Sequence, residues 1–176
     1  MGYMLNALGN LLIDENIELY IFVINGKWPG GPYELIEQNF AHIAKNTGPK
    51  AVIAKGFGSE SWSKQVGRKY FGENHSELFN AIPALLITDA HPEKLNDNSL
   101  RLIIPLRDIK KRFGDWDTFF RLLSRFAINK DVEFLKKFED TSSLLKNGNK
   151  YLELKLNLFG IGVNLNAIIE RLSSRT

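Results

Sequence analysis

Residues 17–24 read IELYIFVI, with Glu18 as the sole charge in the run. Ile, Val, Phe and Tyr suit the pleated surface of a strand, and a near-continuous apolar run suits a strand covered on both faces. Next, residues 25–32 (NGKWPGGP) carry the Gly and Pro of a loop. The pattern then predicts a helix over residues 33–45, with Leu35, Ile36, Phe40, Ile43 and Ala44 on its apolar stripe. Glu34 and Glu37 suit the positive N-terminal end of that helix, and Asn46-Thr47-Gly48-Pro49 stops it. Residues 50–56 (KAVIAKG) read as a second strand. A strand–helix–strand unit of this kind implies parallel pairing.

Before this unit, Leu5, Leu8, Leu11 and Leu12 recur at helical spacing, so a short amphipathic helix is expected over residues 5–13. After it, a helix is expected from about residue 58 to 71 and a shorter one over 77–80. Residues 84–89 read as a strand preceded by Pro83. Residues 100–106 (LRLIIPL) return as its antiparallel neighbour. One long helix is expected over residues 107–128, with Ile109, Phe113, Trp116, Phe119, Phe120 and Leu123 on one face. A further helical piece covers 132–138, the alternation of 151–158 reads as a strand, and 164–173 as a helix.

This order, with a βαβ half joined to a ββα half around one mixed sheet, resembles the thioredoxin-like fold. Two local matches carry the resemblance. Thioredoxins place Trp-Cys-Gly-Pro-Cys just after the first core strand; here Trp28-Pro29-Gly30-Gly31-Pro32-Tyr33 stands there. They also place a cis-proline before the third core strand, in a context such as Ile-Pro-Thr-Leu-Leu. Here Ile82-Pro83-Ala84-Leu85-Leu86-Ile87 reads similarly, and the resemblance implies that Pro83 is cis. It spans roughly residues 5–128 and leaves out the C-terminal part. The expected fold is therefore α/β: a thioredoxin-like mixed sheet flanked by helices over 1–129. Residues 130–176 form a helical and strand–helix extension packed on it.

The departure lies in the chemistry. The 176 residues include no cysteine. Thiolate attack begins every exchange reaction of thiols and disulfides, so this chain cannot be a thiol–disulfide oxidoreductase. Thiolate zinc sites and iron–sulfur clusters are excluded with it. Lys and Arg total 23 against 20 Asp and Glu, a net charge of +3. That surplus is smaller than a nucleic-acid binder usually carries, so nucleic acid is a possible partner but not the favoured one. Residues 1–14 lack the basic leader and apolar run of a signal peptide, and no stretch reaches the roughly 18 apolar residues of a membrane helix. A cytoplasmic protein without a membrane partner is expected.

The candidate site residues follow. By the resemblance, Ile82 and Pro83 offer backbone groups to an extended partner segment. Trp28 and Tyr33 would be contact side chains beside them, although Trp28 reads more readily as a lid over the core. Arg107, Lys110, Lys111 and Arg112 form a basic cluster for phosphate, nucleic acid or an acidic partner, or else a solvated face. Arg121, Arg125 and Lys130 extend it. Gly160 and Gly162 read as a phosphate-binding turn or as a tight strand-to-helix turn capped by Asn164; Leu165 stands where a dinucleotide fingerprint needs glycine. His42, His75 and His91 show no metal-ligand spacing, and no metal or cofactor is expected. His91-Pro92 near Asp89 reads as an acid/base pair or as a surface turn. The expected function is a non-redox module that binds a protein, a second copy of itself included. The alternatives are a nucleotide- or phosphate-handling enzyme and a nucleic-acid binder.

Overall fold

The computed structural model describes residues 1–26, 32–72, 76–96 and 99–137. Five strands form one mixed sheet: β1 (Gly2–Leu5), β2 (Leu19–Ile24), β3 (Ala51–Gly56), β4 (Ala84–Thr88) and β5 (Arg101–Pro105), in the order β1-β3-β2-β4-β5. β1 and β2 both run parallel to β3. β4 runs antiparallel to β2, and β5 antiparallel to β4. The helices are α1 (Pro32–Asn46), α2 (Ser59–Phe71), α3 (Ser76–Ala81), α4 (Ile109–Phe113), α5 (Trp116–Asn129) and α6 (Glu133–Lys136).

The period of two along each strand sorts side chains onto two cores. Leu19, Ile21 and Val23 join Ala51, Ile53, Leu85 and Ile87 on one face, under Ile36 and Ile43 of α1 and Phe119, Leu122, Leu123 and Phe126 of α5. Tyr20, Phe22 and Ile24 join Val52, Ala54 and Leu86 on the other, under Trp62, Val66 and Tyr70 of α2. Burying one such Leu, Ile or Phe stabilises the fold by roughly 1.5–3 kcal/mol. Because β2 is buried on both faces at every position, its sequence shows no alternation.

Two expectations are corrected. Residues 2–5 are a strand, and the helical part near them is one 3₁₀ turn at Leu8–Asn10. The leucine spacing there serves packing instead: Leu8 and Leu11 enter the α2-side core, whereas Leu12 is 70% exposed. The helix expected over 107–128 is three pieces: a 3₁₀ turn at Leu106–Asp108, then α4, then α5. The break falls at Gly114, whose φ of 84° ends α4, and at Asp115, whose side chain accepts the Thr118 N–H to start α5. Phe134 and Leu135 of α6 return to the same core as α5. The strand and helix expected over 151–173 lie outside the described residues.

Candidate functional site

The helices that follow β2 and β3 lie on opposite faces of the sheet, α1 on one and α2 on the other. Open α/β sheets receive ligands at the carboxyl ends of strands whose following helices part in this way. Three buried polar side chains, Asn25, Lys55 and Ser63, lie at this end. Asn25 continues the Leu19, Ile21, Val23 series just past β2, and Lys55 continues the Ala51, Ile53 series of β3. Both are buried.

Lys55 is held by Glu37 of α1, and its ammonium also lies 4.7 Å from the centre of the Phe40 ring. Glu37 accepts a second hydrogen bond, from the Tyr33 hydroxyl one helical turn earlier. The Asn25 side chain lies close enough to Tyr33 to act on its phenol. Burial first, and then the Glu37 carboxylate beside it, raise the Tyr33 phenol well above its ordinary range. The phenol therefore stays a hydrogen-bond donor. Asn25 Oδ1 accepts the Gly26 N–H at 2.9 Å, so the chain of contacts runs from a buried lysine to the start of the loop. Ser63 of α2 closes the other side: its Oγ accepts the Asn25 N–H at 3.0 Å and donates to the Asn25 carbonyl at 2.6 Å. Ser59 Oγ donates to the Gly26 carbonyl at 3.2 Å.

Ile82 and Pro83 reach the same end of the sheet. Ile24 pairs with Ala84, so Pro83, one residue earlier on the antiparallel strand, stands next to Asn25. The Ile82–Pro83 peptide bond is cis, and both residues are half-buried. Asn25 thus stands beside the Ile82–Pro83 turn and close to Tyr33, as the spacing along the chain alone could not show. Trp28 lies outside the described residues, as do His75, Gly160 and Gly162. Sequence reading missed Asn25, Glu37, Lys55 and Ser63. The signal for Lys55 was a lysine on the inward-facing register of an apolar strand.

The basic cluster divides. Arg107, Lys110 and Lys111 are exposed, and the Arg107 guanidinium donates to the Asn80 carbonyl at 3.1 Å. Arg112 is half-buried and donates to the Lys137 carbonyl at 3.2 Å, which makes it part of the packing of α4 against the end of α6. Arg125 pairs with Asp131 and Glu133, and Lys130 with Glu18 at 3.1 Å. The His91–Pro92 stretch is buried instead of being a surface turn. His91 Nδ1 accepts the Glu93 N–H and its Nε2 meets the Leu11 carbonyl, while Asp89 accepts the Leu100 N–H. These contacts tie loops together at the opposite end of the sheet. Among the described residues, no group of three His, Cys, Asp or Glu is placed to hold a metal, and no helix is long and apolar enough to cross a membrane. No family model, curated protein or solved structure matches this chain.

Proposed function

We infer that this chain is a cysteine-free, thioredoxin-like binding module that receives an extended segment of a protein at the Ile82–Pro83 turn. The observation that carries the reading is the placing of Asn25 beside that turn at the carboxyl end of β2, with Tyr33 close to Asn25. The strand order β1-β3-β2-β4-β5, with β4 and β5 reversed, supports it as well. The chemistry at this end of the sheet favours holding over reacting. Its lysine is neutralised by a carboxylate, its serine hydroxyls bond backbone groups, and no thiol exists in the chain. By the resemblance, Trp28 would add a contact side chain.

A photo-crosslinking side chain at position 33 tests the reading, with one at Leu12, exposed at the far end of the sheet, as control. The expected result in cells is a discrete protein adduct from position 33 that is absent from position 12 and weakened by Trp28→Ala. Equal labelling from both positions sinks the proposal.

A further inference from the structure

Arg107, Lys110 and Lys111 fall at i, i+3 and i+4 along the consecutive turns Leu106–Asp108 and Ile109–Phe113. That spacing puts them on one face. Leu106, Ile109 and Phe113 are buried in the α1-side core, so the basic face is the outward one. Two hydrogen bonds place it. The Leu106 N–H donates to the Pro83 carbonyl at 2.8 Å, and Arg107 reaches the Asn80 carbonyl just ahead of the turn. The acid within this stretch, Asp108, is half-buried. Two groups of residues that are far apart in the chain therefore adjoin: the backbone turn at Ile82–Pro83 and a row of exposed cations.

We propose that the segment received at the Ile82–Pro83 turn is acidic, an extended stretch of polypeptide whose carboxylates lie opposite Arg107, Lys110 and Lys111. The inference rests on the reading of the turn as a binding site and adds the chemistry of the partner. A peptide fits this surface better than a nucleic acid does. The exposed cations here are few; farther along, Arg125 of α5 faces Asp131 and Glu133, and Lys130, just past α5 and largely buried, faces Glu18. A nucleic-acid surface needs a longer track of phosphate contacts. Charges at the rim of an interface act on encounter and on partner choice, so the preference weakens as salt rises.

Fluorescence anisotropy on the full chain provides the test. The probes are a labelled peptide of about a dozen residues alternating Glu and Thr, the same peptide with Gln for Glu, and an oligothymidylate of similar length. At low salt the Glu peptide is expected to bind about tenfold or more tightly than the Gln peptide. Lys110→Glu with Lys111→Glu removes that preference, and Tyr33→Ala weakens both peptides. Both lysines are exposed, so the double variant keeps the wild-type circular dichroism spectrum. If the two peptides bind equally and both depend on Tyr33, the turn remains a binding site and the acidic partner is wrong. If the oligothymidylate binds as tightly as the Glu peptide, the face is a general anion surface and the proposal falls. Failure of both peptides to bind overturns it too, and the crosslink from position 33 then judges the turn by itself.

Discussion

A lysine on the covered face of an inner strand needs a counter-charge that bulk water cannot provide, and Glu37 provides it to Lys55. The two members of this pair are unequal. Lys55 retains 9% side-chain exposure, whereas Glu37 retains 32% and holds Tyr33 as a second donor. Removing the carboxylate leaves a buried ammonium unpaired; removing the ammonium leaves a carboxylate that water and Tyr33 still satisfy. Glu37→Gln is therefore expected to lower the unfolding free energy by about 2–3 kcal/mol, and Lys55→Met by no more than about 1 kcal/mol. Urea denaturation of both variants checks this, and the reverse order of costs would refute the account. At this scale the sequence was least legible. Tyr33, Ile82 and Pro83 stood out because local motifs mark them. Glu37 looked like an acid suited to a helix start, and Lys55 like the polar end of a strand, because nothing local records that β3 and α1 bring the two together.

The strands and helices differ in how plainly they announce themselves. β2, β3, β4 and β5 were legible because their apolar runs are bounded by Gly, Pro or Asn, and α1 and α2 because their stripes keep a helical period. β1 was not: Gly2–Leu5 is short, and Leu5 shares a helical spacing with Leu8, Leu11 and Leu12, although Leu5, Leu8 and Leu11 reach one core from a strand, a 3₁₀ turn and the residue after it, and Leu12 is exposed. The break between α4 and α5 was written in Gly114-Asp115, but Phe113, Trp116 and Phe119 keep one apolar face across it and hide the interruption. Two glycines bear on elements for different reasons. At Gly56 an added Cβ would sit 2.2 Å from the Trp62 Cβ, so α2 would have to lift from the end of β3. At Gly114 nothing lies within 4 Å, but φ is 84°. Gly56→Ala is expected to cost about 1–3 kcal/mol through crowding. Gly114→Ala is expected to cost about 1–2 kcal/mol through backbone conformation alone. Thermal melts should therefore show both variants destabilised, but near-ultraviolet circular dichroism should change only for Gly56→Ala, where the environment of Trp62 is disturbed.

For the whole molecule, stability is bounded by pH on two sides. Hydrogen bonding to Lys50, aided by Lys130, holds the Glu18 carboxyl below its ordinary range. A lowered folded-state value gives stability that is present above the unfolded carboxylate range and lost as pH falls through the folded one. On the alkaline side, burial raises the phenols of Tyr20, Tyr33 and Tyr70. Their contribution is complete below about pH 10, the unfolded tyrosine value, and is lost as pH climbs through the raised values. Chemical denaturation across pH should give a plateau with two falling limbs; Asp115 and Asp131, lowered by hydrogen bonds to backbone N–H groups, share the acid limb, so Glu18→Gln should make it shallower and leave the alkaline one. A third observation belongs to this scale. The indole N–H of Trp62 donates to the Val23 carbonyl at 2.9 Å, deep beneath α2. This proton cannot exchange with deuterium unless α2 parts from the strand that leads to Asn25. Its exchange rate is a clock for breathing at the carboxyl end of β2, readable in the intact protein with no label attached.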